Sequence, residues 1–286
     1  MLKIAIPNKG RLFDKTISLL SEAGFKFDIS ERQLFAPIFN FPMEILFVRA
    51  DDIPTYIYSG IVDLGITGQD LVAEEEVDIQ QLLPLGYGKA SMVVAAPEGT
   101  IDSIEDLKNK GTIRIATSFK NITKRFFEDI NIKYEIADIH GAVEITPRLG
   151  LSDVIVDITS TGTTLRMNKL KIIHKIMDSQ ATLFANKNSL KEKEEDINIV
   201  VNALKSVLDA HKRKYLMANI PKNNIEKAKE IVPGITAPTV LSLYSTEDMV
   251  AIHAVVNEDE INHIVNSLKK IGATGILILN IERIFE

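Results

Sequence analysis

The 286-residue sequence has no cysteine and no tryptophan. Without thiols there is no disulfide, thiolate nucleophile, iron–sulfur cluster or cysteine-bound zinc, and disulfide usage says nothing of the redox compartment. The five histidines (His140, His174, His211, His253, His263) show no metal-ligand spacing. No Ser/His/Asp triad follows from their positions, and His140, just before a glycine, reads as a loop residue. No apolar run reaches the ~18 residues of a membrane-spanning helix. The apolar start, Met1-Leu2-Lys3-Ile4-Ala5-Ile6-Pro7, is broken by Pro7 and lacks a secretory core; the expectation is a cytoplasmic protein. Excess charge is also scarce: 33 Lys and Arg stand against 39 Asp and Glu, a net of −6. That argues against a polycation built for nucleic acid or acidic membranes, but leaves room for a small basic pocket. Neither a Walker loop nor a Gly-x-Gly-x-x-Gly fingerprint is present.

What remains is an ordinary globular composition, 45% hydrophobic and 25% charged. Residues 3–6, 44–49, 62–66, 89–97, 114–117, 134–137 and 154–158 read as strands. Helical spacing falls between them at 12–23, 53–58, 68–75, 122–130 and 143–149. Such alternation indicates an α/β sheet. Gly60-Ile61-Val62-Asp63-Leu64 is echoed by Gly150-Leu151-Ser152-Asp153-Val154, as two similar lobes would produce. An amphipathic helix over 190–214 begins with the run Lys191-Glu192-Lys193-Glu194-Glu195-Asp196, acidic where the helix dipole favours it. The last 70 or so residues read βαββαβ, a ferredoxin-like order.

The sharpest chemical feature is Asp157-Ile158-Thr159-Ser160-Thr161-Gly162-Thr163-Thr164. A buried strand runs directly into five hydroxyl residues, one glycine and a helix. Converging hydroxyls and backbone N–H groups suit a phosphate, and glycine permits close approach. Asp157 stands where a carboxylate can meet ribose hydroxyls or hold Mg²⁺ through water. Pro7-Asn8-Lys9-Gly10-Arg11 follows the first strand, where open α/β sheets bind ligands. Arg49-Ala50-Asp51-Asp52 ends another strand; Arg49 suits phosphate, and at least one aspartate is expected to cap the following helix. Glu144-Ile145-Thr146-Pro147-Arg148 lies upstream of the hydroxyl loop.

These segments resemble the ATP phosphoribosyltransferases in their long form, which needs no partner subunit. The likeness runs through Asn8-Lys9-Gly10-Arg11-Leu12, Val48-Arg49-Ala50-Asp51-Asp52-Ile53-Pro54 and Val62-Asp63-Leu64-Gly65-Ile66-Thr67-Gly68. It continues through Arg114-Ile115-Ala116-Thr117-Ser118, Glu144-Ile145-Thr146-Pro147-Arg148 and the hydroxyl loop. It closes with Pro233-Gly234, Pro238-Thr239-Val240 and Ile271-Gly272-Ala273.

The resemblance implies a two-lobed catalytic body like type II periplasmic binding proteins, followed by a ferredoxin-like regulatory domain. The implied boundaries are 1–88 for lobe I, completed by 178–213; 89–177 for lobe II; and 214–286 for the regulatory domain. It implies transfer of the phosphoribosyl group of phosphoribosyl pyrophosphate to N1 of ATP, the first step of histidine biosynthesis, with Mg²⁺ as cofactor and histidine as feedback inhibitor. Asp157, Glu144 and Lys9 are the implied catalytic residues. Thr159, Ser160, Thr161, Gly162, Thr163 and Thr164 are expected to hold the 5′-phosphate. Arg11, Arg32, Arg49, Asp51, Gly68 and Asp70 are expected on the ATP or pyrophosphate side. Mg²⁺ is expected on substrate phosphates, with Asp157 or Glu144 as candidate ligands. Asn219, Thr239, Leu241, Ala273 and Thr274 match positions near the family's histidine pocket. A homo-oligomer, dimer to hexamer, is implied; nucleic acid and membrane partners are not. The competing expectation is a non-catalytic, two-lobed protein that binds a small anion.

Overall fold

In the computed structural model, every residue is described except Glu31, Arg32, His140, Pro233, Ile235, Thr236, Ser245, Thr246 and Glu286, together with the side chain of Asp138. The chain forms β1 (Leu2–Pro7), α1 (Phe13–Glu22), β2 (Phe35–Pro37), β3 (Met43–Val48), α2 (Ile53–Tyr58), β4 (Leu64–Gly68), α3 (Gln69–Glu75) and β5 (Gln80–Pro84). It continues with β6 (Ala90–Pro97), α4 (Ile104–Lys108), β7 (Ile113–Thr117), α5 (Lys120–Asp129), β8 (Tyr134–Asp138), β9 (Val154–Thr159), α6 (Thr163–Met167) and β10 (Leu170–Ser179). Then follow β11 (Ala181–Ala185), α7 (Lys187–Glu192), α8 (Glu194–His211), β12 (Arg213–Pro221), α9 (Ile225–Ile231), β13 (Thr239–Ser242), β14 (Met249–Asn257), α10 (Ile261–Lys270) and β15 (Thr274–Asn280).

Two sheets share one plan. The first has the order β2-β3-β1-β4-β11-β5, and the second β8-β7-β9-β6-β10. In each, a central strand (β1 or β7) is flanked by two parallel neighbours, β3 and β4 or β8 and β9. Next comes an antiparallel strand, β11 or β6, supplied where the chain re-enters or enters that lobe. The chain crosses between the sheets twice, at 85–89 and at Gln180. This is a two-lobed α/β body whose parallel strands end at the loops that carry the predicted site residues.

The sequence echo is a structural one. The Asp63 N–H donates to the Lys3 carbonyl at 3.0 Å, and its carboxylate accepts the Lys3 N–H at 2.8 Å. The Asp153 N–H donates to the Arg114 carbonyl at 2.8 Å, and its carboxylate accepts the Arg114 N–H at 2.9 Å. Each aspartate thus staples the start of its lobe's central strand to the start of the strand beside it. Asp63 is buried and also accepts from Ser189 Oγ and Lys193 Nζ, both at 2.7 Å. Asp153 is clasped by the Arg114 guanidinium, with Nη2 at 2.9 Å and Nε at 3.2 Å.

Apolar alternation fills both lobes. Ala5, Leu46, Ile53, Ile57, Val62 and Phe184 form a cluster in lobe I. Met92, Val94, Ile115, Phe127, Val154 and Val156 are among the buried core of lobe II. A Cβ on Gly65 would lie 2.6 Å from Ile57 Cδ1 and 2.7 Å from Ile53 Cγ2, so glycine there lets α2 lie directly on β4.

Compact units divide inside α8, between Asn198 and Ile199, ahead of the boundary at 214 read from the sequence. In the second unit the sheet order β13-β14-β12-β15, antiparallel throughout, is the expected ferredoxin-like arrangement. Leu216, Ala218 and Ile220 of β12 alternate inward, meeting Ala228 of α9 and Ile264 and Leu268 of α10.

Three expectations are corrected. The helix over 143–149 is only a single 3₁₀ turn, Val143–Ile145, followed by turns; Pro147 removes a backbone donor there. The strand expected at 62–66 sits at Leu64–Gly68, because residue 63 is occupied by the staple. The helix over 190–214 is two helices. Asn186 caps the first by accepting from Asn188 and Ser189 N–H at 2.9 and 3.0 Å, and Lys193, between them, turns to Asp63.

Asp63→Ala leaves the Lys3 N–H and the Lys193 ammonium unmatched. We expect a loss of about 2–3 kcal/mol in urea unfolding, against about 1 kcal/mol for the more exposed Asp153→Ala. Burial pushes the Asp63 carboxyl up, but Lys193, Ser189 and the Lys3 N–H together bring it below its ordinary value; Arg114 does the same for Asp153. Their contribution is therefore complete above the unfolded value of about 3.9 and is lost as pH falls through the depressed folded values. Urea titrations below pH 4 should show that loss in the wild type and less of it in each variant.

Candidate active site

The hydroxyl loop is built at the end of β9. Gly162 adopts φ +69°, a conformation glycine takes without strain, and starts α6. Its N–H donates to Thr159 Oγ1 at 2.9 Å, closing the turn. Thr161 and Thr163 hydroxyls lie 2.9 Å apart. Arg166, one turn along, reaches back to the Thr161 carbonyl at 3.0 Å and to Thr163 Oγ1 at 3.2 Å. Ser160, Thr161, Thr163 and Thr164 are exposed. The loop therefore presents several hydroxyls backed by one guanidinium, the donor set an anionic oxygen requires. Arg166 braces the candidate loop and sequence reading missed it; its signal is the three-residue helical spacing from Thr163.

Asp157 stands at the same strand end. Burial pushes its carboxyl up to about 6; the Ile158 N–H pulls it down, and the charge of Glu144 raises it further. The negative charge of Glu144, on the short turn Val143–Ile145, is thus felt at Asp157. A partly buried carboxylate that also feels a second negative charge is eased by a nearby cation. Among the described residues no cluster of three acidic or histidine side chains could hold a metal alone. The donor set fits a Mg²⁺ ion that arrives on substrate phosphates and uses one or two carboxylates.

In lobe I, Lys9 is exposed on the turn after β1. Arg11 donates to the Gly88 carbonyl at 3.2 Å and lies 3.9 Å from Asp70. Asp70 itself is buried and bonded to Ser179 Oγ. Gly68 ends β4 directly before α3. Arg49 and Asp51 form a two-bond pair, Nε to Oδ1 at 3.1 Å and Nη2 to Oδ2 at 2.8 Å. That bonding holds the Asp51 carboxyl below its ordinary value. The expected aspartate cap is absent: Asp52 occupies the N-cap position of α2 without a side-chain hydrogen bond, and Asp51 has turned to Arg49. Arg32 lies outside the described residues.

A cavity of about 300 Å³ at the two crossovers joins the lobes; Gln69, Lys89, Ser91, Ser160, Asp178 and Ser179 are among its walls. It brings Ser160 of the loop to the start of α3. Lys89 and Gln69 are further lining residues that sequence reading did not single out.

In the second unit, Leu241, Ala251, Asn219 and Thr274 stand in register as one row across all four strands. Three of the expected histidine-pocket positions are thereby brought together. Thr239 lies two residues along β13, opposite His253, whose ring accepts or donates at 2.9 Å to the Tyr215 hydroxyl. Ala273 is not in the row but packs into the buried core.

Two family models match the chain: ATP phosphoribosyltransferase (HisG) over residues 49–206, and the HisG C-terminal domain over 210–283. A Methanocaldococcus jannaschii protein named ATP phosphoribosyltransferase is 47% identical over 99% of this chain and 100% of its own. The chain belongs to the ATP phosphoribosyltransferase family. A Methanosarcina acetivorans protein of the same name is 45% identical over 99% of both chains. A solved ATP phosphoribosyl transferase (HisG:HisZ) complex from Thermotoga maritima contains a chain that matches with TM-score 0.66 at 34% identity, covering 73% of this chain and 99% of that one. Membership makes this enzyme a transferase of histidine biosynthesis. No helix among the described residues is long and apolar enough to cross a membrane.

The folded value for Asp157, about 6, lies above the unfolded one. Folding thus draws an advantage from low pH that is lost as pH rises from about 4 to 6. Asp157→Asn carries no charge at any pH. It should raise stability at pH 7 by on the order of 2 kcal/mol and flatten the pH dependence over that window, measured by urea unfolding of the free enzyme.

Proposed function

We propose that this enzyme joins ATP to phosphoribosyl pyrophosphate, forming a bond from adenine N1 to the anomeric carbon as the bond from that carbon to pyrophosphate breaks. The electron pair of the broken bond leaves with pyrophosphate, so no protein nucleophile is needed. What the protein must supply is position and charge: two polyanions held in line, and a cationic, oxocarbenium-like centre stabilised between them. The observation that carries this reading is the end of β9, where exposed hydroxyls backed by Arg166 adjoin a half-buried Asp157 that feels the charge of Glu144.

In this reading the loop 159–164 grips the 5′-phosphate and Asp157 faces the ribose. Its carboxylate, ionised at neutral pH, stabilises the positive anomeric centre in a poorly hydrated site. Glu144 would join Asp157 in holding the substrate's Mg²⁺, whose chemistry would be neutralising the departing pyrophosphate. Lys9, Arg11 and Arg49 supply counter-charge on the ATP side. The family's C-terminal domain, with its row of Asn219, Leu241 and Thr274, supports feedback inhibition by histidine and the long, partner-independent form. We assign the enzyme to the cytoplasm and to a homo-oligomeric state, dimer to hexamer, on family grounds.

Incubation with ATP, phosphoribosyl pyrophosphate and Mg²⁺ should yield the phosphoribosyl-ATP adduct, identified by mass spectrometry. Binding without adduct would favour the non-catalytic anion binder. Asp157→Ala and Thr161→Val should weaken phosphoribosyl pyrophosphate by about tenfold while leaving ATP binding within about twofold; equal losses for both substrates contradict the loop's role. Asn219→Ala should keep adduct formation and lose histidine inhibition, read as the histidine concentration that halves the rate.

A further inference from the structure

Asp70 matches the family as a nucleotide-side residue, yet its geometry is that of a support. Its side chain is 3% exposed, and both oxygens are already engaged. Oδ1 takes the Ser179 hydroxyl, and Ser179 Oγ in turn accepts the Asp70 N–H at 3.1 Å. Oδ2 faces Arg11 Nη2 at 3.9 Å, an ion pair without a hydrogen bond. The other end of that guanidinium, Nη1, donates to the Gly88 carbonyl. Gly68 completes the device. A Cβ there would lie 2.1 Å from Asp70 Oδ1, so the carboxylate occupies space that only glycine leaves open. The backbone of Gly68, at φ −75° and ψ 143°, is one any residue adopts; the glycine is needed for room.

We propose that Asp70 is a positioning residue that acts on the ATP side through Arg11, with Ser179 and Gly68 holding its carboxylate in place. Gly88 lies in one crossover between the lobes and Ser179 beside the other, so Arg11 is referenced to both, to the first directly through Nη1 and to the second through Asp70. An arginine free in solvent samples many rotamers and loses that freedom on gripping a phosphate. One already anchored at two points, with donors still unspent among its five, meets the anion with less to lose. This rests on the reading that Arg11 faces ATP.

The test is a double-mutant cycle on the full-length enzyme, with ATP affinity measured by calorimetry alongside KM and kcat. Asp70→Asn should weaken ATP about tenfold and leave phosphoribosyl pyrophosphate affinity unchanged. In an Arg11→Met background the same substitution should add less than about twofold. Gly68→Ala, which displaces the carboxylate without touching its charge, should reproduce the Asp70→Asn profile and likewise lose its effect once Arg11 is gone. Ser179→Ala should follow the same pattern more weakly. If Asp70→Asn fails to fold by circular dichroism, the Gly68→Ala and Ser179→Ala cycles decide. The proposal is overturned if wild-type enzyme forms adduct but these effects multiply with Arg11→Met, or if ATP affinity does not change. Absence of adduct from the wild type would instead sink the underlying reading.

Discussion

The architecture depends on two aspartates that do a backbone's work. Parallel neighbours in a sheet have no hairpin to fix their register, so each lobe needs another device to align its central strand with the strand beside it. Asp63 and Asp153 supply it by exchanging a backbone bond and a carboxylate bond with Lys3 and Arg114. Set at the entry of both strands, the alignment carries through to their exits. There lie the basic turn after β1, the start of α3 and the hydroxyl loop after β9, the segments proposed to grip the substrates' phosphates. A slip of one residue would turn each inward side chain outward and misplace every donor at the far end.

The chemistry proposed for this frame is electrostatic rather than acid–base. Arg11 and Arg49 are held by aspartates, and Arg166 by the loop it supports. Fixed donors of this sort need little reorganisation as charge moves in the reaction. Asp157 is the exception, a carboxylate whose burial raises its proton affinity and costs stability in the empty enzyme. Strain of that kind concentrates where function demands it.

Much of this was legible because it is local. The hydroxyl loop is contiguous, the echo of Gly60-Ile61-Val62-Asp63-Leu64 spans five residues, and the terminal module announces itself by alternation and helical spacing. What escaped is what depends on distant partners. Gln80-Gln81-Leu82-Leu83-Pro84 shows no strand period; it becomes β5 because β11 offers an edge. Asp70 looks like a solvent-facing helix start until Ser179, 109 residues away, closes over it. Lys89 is an ordinary surface lysine in sequence and a cavity wall only once two crossovers lie together. The helix expected at 143–149 breaks on a local rule: Pro147 lacks the N–H and crowds the turn that its apolar spacing would otherwise continue.

The two staples differ in where their extra partners come from, and that difference orders events during synthesis. Asp153 is completed by Arg114, and every strand of lobe II lies in one unbroken stretch from Ala90 to Ser179. Asp63 waits for Ser189 and Lys193, and its sheet waits for β11. On the ribosome, the lobe whose strands emerge second has all its parts first, while the N-terminal lobe stays an open sheet edge until the chain returns to it. A nascent chain of which only residues up to about 180–190 have cleared the ribosome would carry a finished inner lobe inside an unfinished outer one.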